Sequence, residues 1–148
     1  MTRGTKVGTF AWNHHRHLEA YFAIPCSGAI LHTINIRLAP EHIIYIINHA
    51  QDEILLIDGD LFPLVEPALG HLKSVKHIIV MSDDKTAPES SFPNVHSYEQ
   101  LLEEADENFA FLEDLDENLQ AGMCYTSATT GMPKGVIYTH RSIVLHSL

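Results

Sequence analysis

YTSATTGMPKGV, Tyr125 to Val136, is the stretch that decides how this chain is read. Holding an anion on backbone takes several N–H groups turned inward, which only small residues permit. It also takes hydroxyls to donate or to meet Mg2+, and a cation to offset charge. Ser127, Thr129, Thr130, Gly131 and Lys134 supply all three, so the segment reads as a phosphate cradle. Met123 to Thr126 and Gly135 to Thr139 are β-branched or aromatic runs, and the loop is therefore expected to join two strands. It is not a Walker P-loop, in which Gly and Lys are adjacent, Ser or Thr follows and a helix opens at once. Here Pro133 precedes Lys134 and Gly135 follows it. Thr, Gly and Pro also punctuate ordinary hairpins, but twelve residues in this order favour the cradle.

Outward from the loop, strand and helix patterns alternate, as in an α/β domain with a mainly parallel sheet. Val7 to Trp12 reads as a strand. Asn13 is placed to cap a helix with Leu18, Tyr21, Phe22 and Pro25 on one face, kinked at Pro25 and ended by Gly28. Ala29 to Ile34 reads as strand. Pro40 suits the first position of a helix that packs Ile43, Ile44, Ile47 and Ala50 on the sheet. Glu53 to Asp58 is nearly all apolar, as expected for a strand covered on both faces. Leu61 to Lys73 is expected as helix, Lys76 to Met81 as strand, Ser82 to Pro93 as surface loop and Tyr98 to Ala105 as a short helix. Glu103 to Asn118 carries eight acidic residues and no basic ones. With Phe109, Phe111, Leu112 and Leu115 interleaved, it reads as a solvated connector with apolar anchors rather than a cation site. No repeat, low-complexity tract or internal domain boundary is visible.

The twelve-residue loop resembles the signature YTSGTTGxPKGV of the adenylate-forming acyl-CoA synthetases. The resemblance extends upstream through HLEAYFAIPCSGAILHTINIRLAPEHIIYIINHAQDEILLID, His17 to Asp58, and downstream through YTHRSIVLHSL. It covers essentially the whole chain and points to the branch acting on medium- and long-chain fatty acids. It implies that residues 1–148 are a partial AMP-binding N-terminal domain, truncated at both ends. The adenine-binding motif, an acidic residue that shares Mg2+, the hinge and the C-terminal domain with its catalytic lysine would lie elsewhere. The implied chemistry is attack of a carboxylate on the α-phosphate of ATP to give acyl-AMP and pyrophosphate, then displacement of AMP by coenzyme A. The implied ATP site is Thr126, Ser127, Ala128, Thr129, Thr130, Gly131 and Lys134. Lys134 is the candidate cation, and Thr126 the candidate Mg2+ contact by analogy with the family's first loop threonine. Spacing alone does not separate Thr126 from Ser127, Thr129 or Thr130, and no catalytic residue is assigned.

Two positions depart from the family pattern. Ala128 stands where the family carries Gly, a substitution that matters only if that position needs positive φ. Ile36 replaces the proline of Asn-Pro-Arg-Leu, freeing φ at a bend.

Composition sets the outer limits. With 148 residues, 45% hydrophobic and 19% charged, the chain can bury one core of a soluble globular domain. Nine Lys plus Arg against 19 Asp plus Glu give a formal net charge of −10, which argues against nucleic acid as a partner. Cys26 and Cys124 lack CxxC spacing, so neither a disulfide framework nor a zinc site is expected, and the cytoplasm is the default compartment. The N-terminus lacks a signal-peptide core and no apolar run is long enough for stable membrane insertion. The implied partner is a small-molecule fatty acid, with a homodimer an open option for the full-length parent. Among eleven histidines, His14 and His17 would share a helix face, but two imidazoles without matched Cys or carboxylate ligands read as a hydrated helix start. His140 and Arg141 open the helix after the loop, where they either face an anion or form an exposed first turn. A rival to the enzyme reading is a catalytically inactive fragment or interaction module, since a sheet cut mid-domain exposes edges and apolar helix faces.

Overall fold

Seven strands form one sheet in the order β5-β4-β3-β1-β2-β6-β7 in a computed structural model that describes residues 2–126 and 131–148. The strands are β1 (Lys6–Phe10), β2 (Ile30–Thr33), β3 (Ile54–Asp58), β4 (His77–Met81), β5 (Val95–Ser97), β6 (Gln120–Thr126) and β7 (Lys134–Thr139). Every pairing from β5 to β6 is parallel, and only β6 with β7 is antiparallel. The mainly parallel α/β expectation is met. Among the described residues no helix is long and apolar enough to cross a membrane.

Crossover handedness sets where the helices go. The connection from β1 to β2, through α1 (His15–Cys26), steps across the sheet in the opposite direction from those leading to β3 and β4. Right-handed crossovers that step in opposite directions cover opposite faces. Accordingly α2 (Pro40–Ala50) and α3 (Phe62–Val65) bury Ile43, Ile46, Ile47, Phe62 and Val65 with Leu55 and Ile57 of β3. On the other face Ala20 and Ile24 of α1 pack with Val7, Leu31 and Leu56. Strand β3 thus feeds both cores by alternation, as its apolar run requires. Ile46 and Ile47 are the most deeply buried residues of α2, each contributing about 1.5–3 kcal/mol relative to exposure.

The sequence expectation fails at three places: the cap of α1, the helix after β3, and β5. Helix α1 begins one residue later than an Asn13 cap implies, with His14 at the N-cap and no side-chain cap bond. Its buried residues are His17, Ala20 and Ile24, whereas Leu18, Tyr21 and Phe22 are exposed. Ala20 and Ile24 pack on the sheet, and Leu18, Tyr21, Phe22 and Pro25, sharing one face as expected, line an apolar groove with Met123 and Ile143. The helix expected over Leu61 to Lys73 is α3 followed by a 3-10 stretch, Glu66–His71. Pro67 has no N–H to give an α-helical ladder, so the tighter turn takes over. Strand β5, three residues long, gave no periodic signal. Gly28 does end α1, at φ +80, and its N–H reaches the Pro25 carbonyl at 3.0 Å. Residues 105–119 form the expected connector between α4 (Tyr98–Glu104) and β6, with Leu112 and Leu115 closing on Gly28.

Gln51, the left-handed C-cap of α2 at φ 62, is the one non-glycine with positive φ among the described residues. A side chain there costs about 1–2 kcal/mol that glycine does not. Gln51→Gly should raise the urea midpoint of unfolding by an amount equivalent to about 0.5–1 kcal/mol with an unchanged m-value. An unchanged or lower midpoint would mean that the Gln51 side chain makes compensating contacts.

Candidate functional site

Ligands of open parallel sheets bind where strands end at their carboxyl edge, and here β1, β2 and β6 end side by side. Thr33 of β2 pairs with Cys124 of β6. Strand β6 continues two residues further, and β7 returns antiparallel with Thr126 opposite Lys134 and Tyr125 opposite Gly135. The expected strands on both sides of the motif are present, and Thr126 and Lys134 face each other at the hairpin mouth. Both are exposed, and Lys134 makes no ion pair among the described residues. Gly131, at φ +109, occupies backbone space that side chains avoid, so the glycine is required at that position. Ser127, Ala128, Thr129 and Thr130 lie outside the described residues, and with them the question of φ at Ala128.

Tyr125 forms the stem below the mouth. Its hydroxyl lies 2.7 Å from Nδ1 of His49, in the last turn of α2. Its ring sits 5.2 Å from the His32 ring, centroid to centroid. Across the hairpin a side chain at Gly135 would come within 3.3 Å of the same ring, so glycine there leaves space for the tyrosine. Burial pushes the Tyr125 phenol up to about 12, helped by the charge of Asp52 and by Tyr45. His32 and Asp52 are fully buried, with Nδ1 2.7 Å from Oδ2. Burial holds the Asp52 carboxyl above its usual range despite the opposing hydrogen bond from His32. Polar residues inside the otherwise apolar run ILHT and just after α2 are the signal that sequence reading passed over.

Two concavities adjoin these strand ends. One, of about 360 Å3, lies between Trp12, Asn13, His17, Asn35 and Tyr125, directly beside the hairpin stem. The other, of about 600 Å3, opens where β1 and β3 part, around Asp58 and Asp60. Asp58 accepts the Trp12 backbone N–H at 2.7 Å and lies 2.6 Å from His14 Nε2. His17 instead turns inward, with Nδ1 3.1 Å from the Trp12 carbonyl and Nε2 3.0 Å from Thr9 Oγ1. Burial holds its imidazole below the ordinary range. The two histidines therefore serve different partners, and the described residues contain no group of three or more metal-ligating side chains.

Past the hairpin, Thr139 caps α5 (His140–His146) in a capping box with Ser142. Arg141 pairs with Glu117 at 2.6 Å, and its N–H donates to the Glu117 carbonyl. It ties the helix to the acidic connector, which favours the structural of the two readings for this residue. At the bend that lacks proline, Asn35 Oδ1 accepts the Arg37 N–H at 2.9 Å and the Asn35 carbonyl accepts the Leu38 N–H. An Asx turn thus closes the bend around Ile36 without the fixed φ of proline.

Residues 1–147 match the family described as AMP-binding enzyme. The chain is 52% identical over 146 residues to a long-chain-fatty-acid–CoA ligase of Thermus thermophilus, covering 98% of this chain and 25% of that protein. It is 43% identical over 148 residues to a medium-chain-fatty-acid–CoA ligase of Ectopseudomonas oleovorans, covering all of this chain and 27% of the relative. It therefore spans about a quarter of the length of the curated relatives it matches. The crystal structure of the anthranilate CoA ligase AuaEII with anthranoyl-AMP superposes with a TM-score of 0.88 at 24% identity, covering 99% of this chain and 27% of that one. That likeness carries the fold.

The raised Tyr125 phenol makes a pH prediction. The unfolded chain gives up this proton near the ordinary tyrosine value of 10.0, the folded chain near about 12. The unfolded state therefore binds fewer protons between these values, and stability falls as pH rises through that window. Tyr125→Phe should make the alkaline decline in the urea midpoint shallower there. An identical decline in the variant would place the titrating group elsewhere.

Proposed function

This chain belongs to the AMP-binding enzyme family, and from that premise we propose that it carries the ATP-phosphate loop of a fatty-acid–CoA ligase. In this reading Ser127, Ala128, Thr129, Thr130 and Gly131 supply backbone and hydroxyl donors to the terminal phosphates. Lys134 supplies the cation and Thr126 the hydroxyl nearest Mg2+. The observation that carries the reading is the pairing of Thr126 with Lys134 across an antiparallel mouth at the carboxyl edge of a parallel sheet. An exposed hydroxyl, an exposed ammonium without a described counter-ion and a glycine at φ +109 fit a polyphosphate. Mg2+, when bound to that polyphosphate, would neutralise charge on it.

The parent reaction takes two steps. A carboxylate oxygen bonds to the α-phosphorus of ATP as the bond to pyrophosphate breaks. The thiol sulfur of coenzyme A then bonds to the acyl carbon, releasing AMP and a proton. What these residues contribute belongs to the first step: negative charge growing on departing pyrophosphate meets fixed N–H dipoles and the Lys134 ammonium. The ligase names of the relatives support a fatty acid as the carboxylate. A cytoplasmic compartment and a homodimer of the parent remain parts of the proposal that rest on the family resemblance.

A second reading concerns the 148-residue polypeptide alone: it is catalytically inactive and associates through apolar surface. Leu18 and Phe22 are 60% and 66% exposed and line an apolar groove with Met123 and Ile143, a kind of surface that favours association. Turnover of a fatty acid with ATP and coenzyme A by this polypeptide would refute that reading.

In an intact ligase carrying this segment, Lys134→Ala should lower carboxylate-dependent ATP–pyrophosphate exchange by about 100-fold or more, with an unchanged circular dichroism spectrum. Unchanged exchange removes the lysine from the mechanism. Ala128→Gly should leave exchange unchanged or lower the KM for ATP, and a large loss would mean that the methyl group is needed.

A further inference from the structure

We infer that the buried His32–Asp52 pair is a positioning element for the hairpin mouth, acting through Tyr125 on Thr126 and Lys134; this rests on the proposed ATP-phosphate role of that mouth. Three observations converge. First, the pair is poorly explained as a stabilising feature. Both residues are fully buried, yet His32 Nε2 and Asp52 Oδ1 have no hydrogen-bond partner among the described residues. Apolar residues of like volume commonly do as well or better in such places. Second, the neighbouring strand keeps space for it. A Cβ built on Gly8 of β1 would lie 3.0 Å from Asp52 Oδ2 and 2.6 Å from Leu55 Cδ2, so this central strand carries a glycine beside the pair. Third, the imidazole that Asp52 orients is the surface against which Tyr125 rests, at 5.2 Å between centroids.

Tyr125 is the penultimate residue of β6, followed by Thr126. Its ring is held from three sides: by His32 on β2, by His49 on α2 at the hydroxyl, and by the bare backbone of Gly135 on β7. With the ring fixed, the strand cannot twist freely about its end, and the Thr126–Lys134 pair keeps one position relative to the sheet. Loss of the Asp52 bond frees the imidazole to rotate, loosens the support under Tyr125 and blurs that position. The consequence is weaker capture of ATP with little change in the chemical step. His32 and Asp52 are thus positioning residues without substrate contact.

The test compares His32→Gln, Asp52→Asn, Tyr125→Phe and the His32→Gln/Tyr125→Phe double variant in a full-length ligase carrying this segment. KM for ATP and kcat are read in carboxylate-dependent pyrophosphate exchange, alongside the thermal midpoint. His32→Gln and Asp52→Asn should each raise the KM for ATP about tenfold with kcat within about twofold. The double variant should be no worse than about the weaker single variant, because both changes interrupt one path. An unchanged KM in folded His32→Gln and Asp52→Asn, or effects that multiply in the double variant, would overturn the inference. If the pair variants do not fold, Gly135→Ala presses on the Tyr125 ring while leaving the pair intact. It should raise the KM in the same way, and an unchanged KM there overturns the role of Tyr125. Lys134→Ala separates the two levels: lost exchange in that variant beside an unchanged KM in the pair variants refutes this inference alone, whereas retained exchange refutes the phosphate-loop reading itself.

Discussion

Parallel pairing of β6 with β2 is the constraint from which the candidate site follows. After β5 the chain stands at one edge of the sheet, four strands from β2. It returns through an acidic connector and inserts Gly122, Met123 and Cys124 beside Leu31, His32 and Thr33. Backbone hydrogen bonds fix that register, and a slip of one residue would turn Met123 from the core and Tyr125 from His32. The correct register sends Thr126 past the end of β2 at the same edge where β1 ends. A hairpin attached at β5 would sit far from α2, His49 and the concavity beside Tyr125. The last third of the connector is tied down by charge, through Arg3 with Asp114 and Arg141 with Glu117. These exposed pairs contribute little stability each.

Around this pairing, polarity is distributed unevenly. The two cores are almost wholly aliphatic, yet beneath the hairpin stem the fold tolerates a buried carboxylate and a buried imidazole, with a half-buried phenol against them. Unsatisfied buried atoms of this kind each cost about 1–3 kcal/mol, a large fraction of the net stability of a domain. Such costs tend to collect at functional sites, where local rules yield to positioning. The same contrast separates His17, a neutral histidine satisfied at both ring nitrogens, from His32, satisfied at one only.

How much of this could be read from residue order depends on the kind of signal. Alternation of apolar runs with helical stripes was enough for the α/β class, for β3 covered on both faces, and for Pro40 opening α2. In α1 two faces are partly apolar: periodicity picks out the face of Leu18, Tyr21 and Phe22, which lines a groove, whereas the face carrying Ala20 and Ile24 meets the sheet. Pro67 is the local signal that a continuous helix over Leu61 to Lys73 leaves out of account. In the candidate site, Thr126, Gly131 and Lys134 were visible because they are contiguous with a specific motif. His32, His49 and Asp52 were not, because their relation to Tyr125 arises only when β2, α2 and β6 are assembled. Contacts between residues 76 or 93 positions apart leave no local pattern.

The most direct measurement is a crystal structure of a full-length ligase carrying this segment with a non-hydrolysable ATP analogue. The account predicts terminal phosphate oxygens within hydrogen-bond distance of Lys134 Nζ, with the triphosphate lying across the mouth between β6 and β7. A triphosphate bound at another edge of the sheet, with Lys134 directed into solvent, would contradict it.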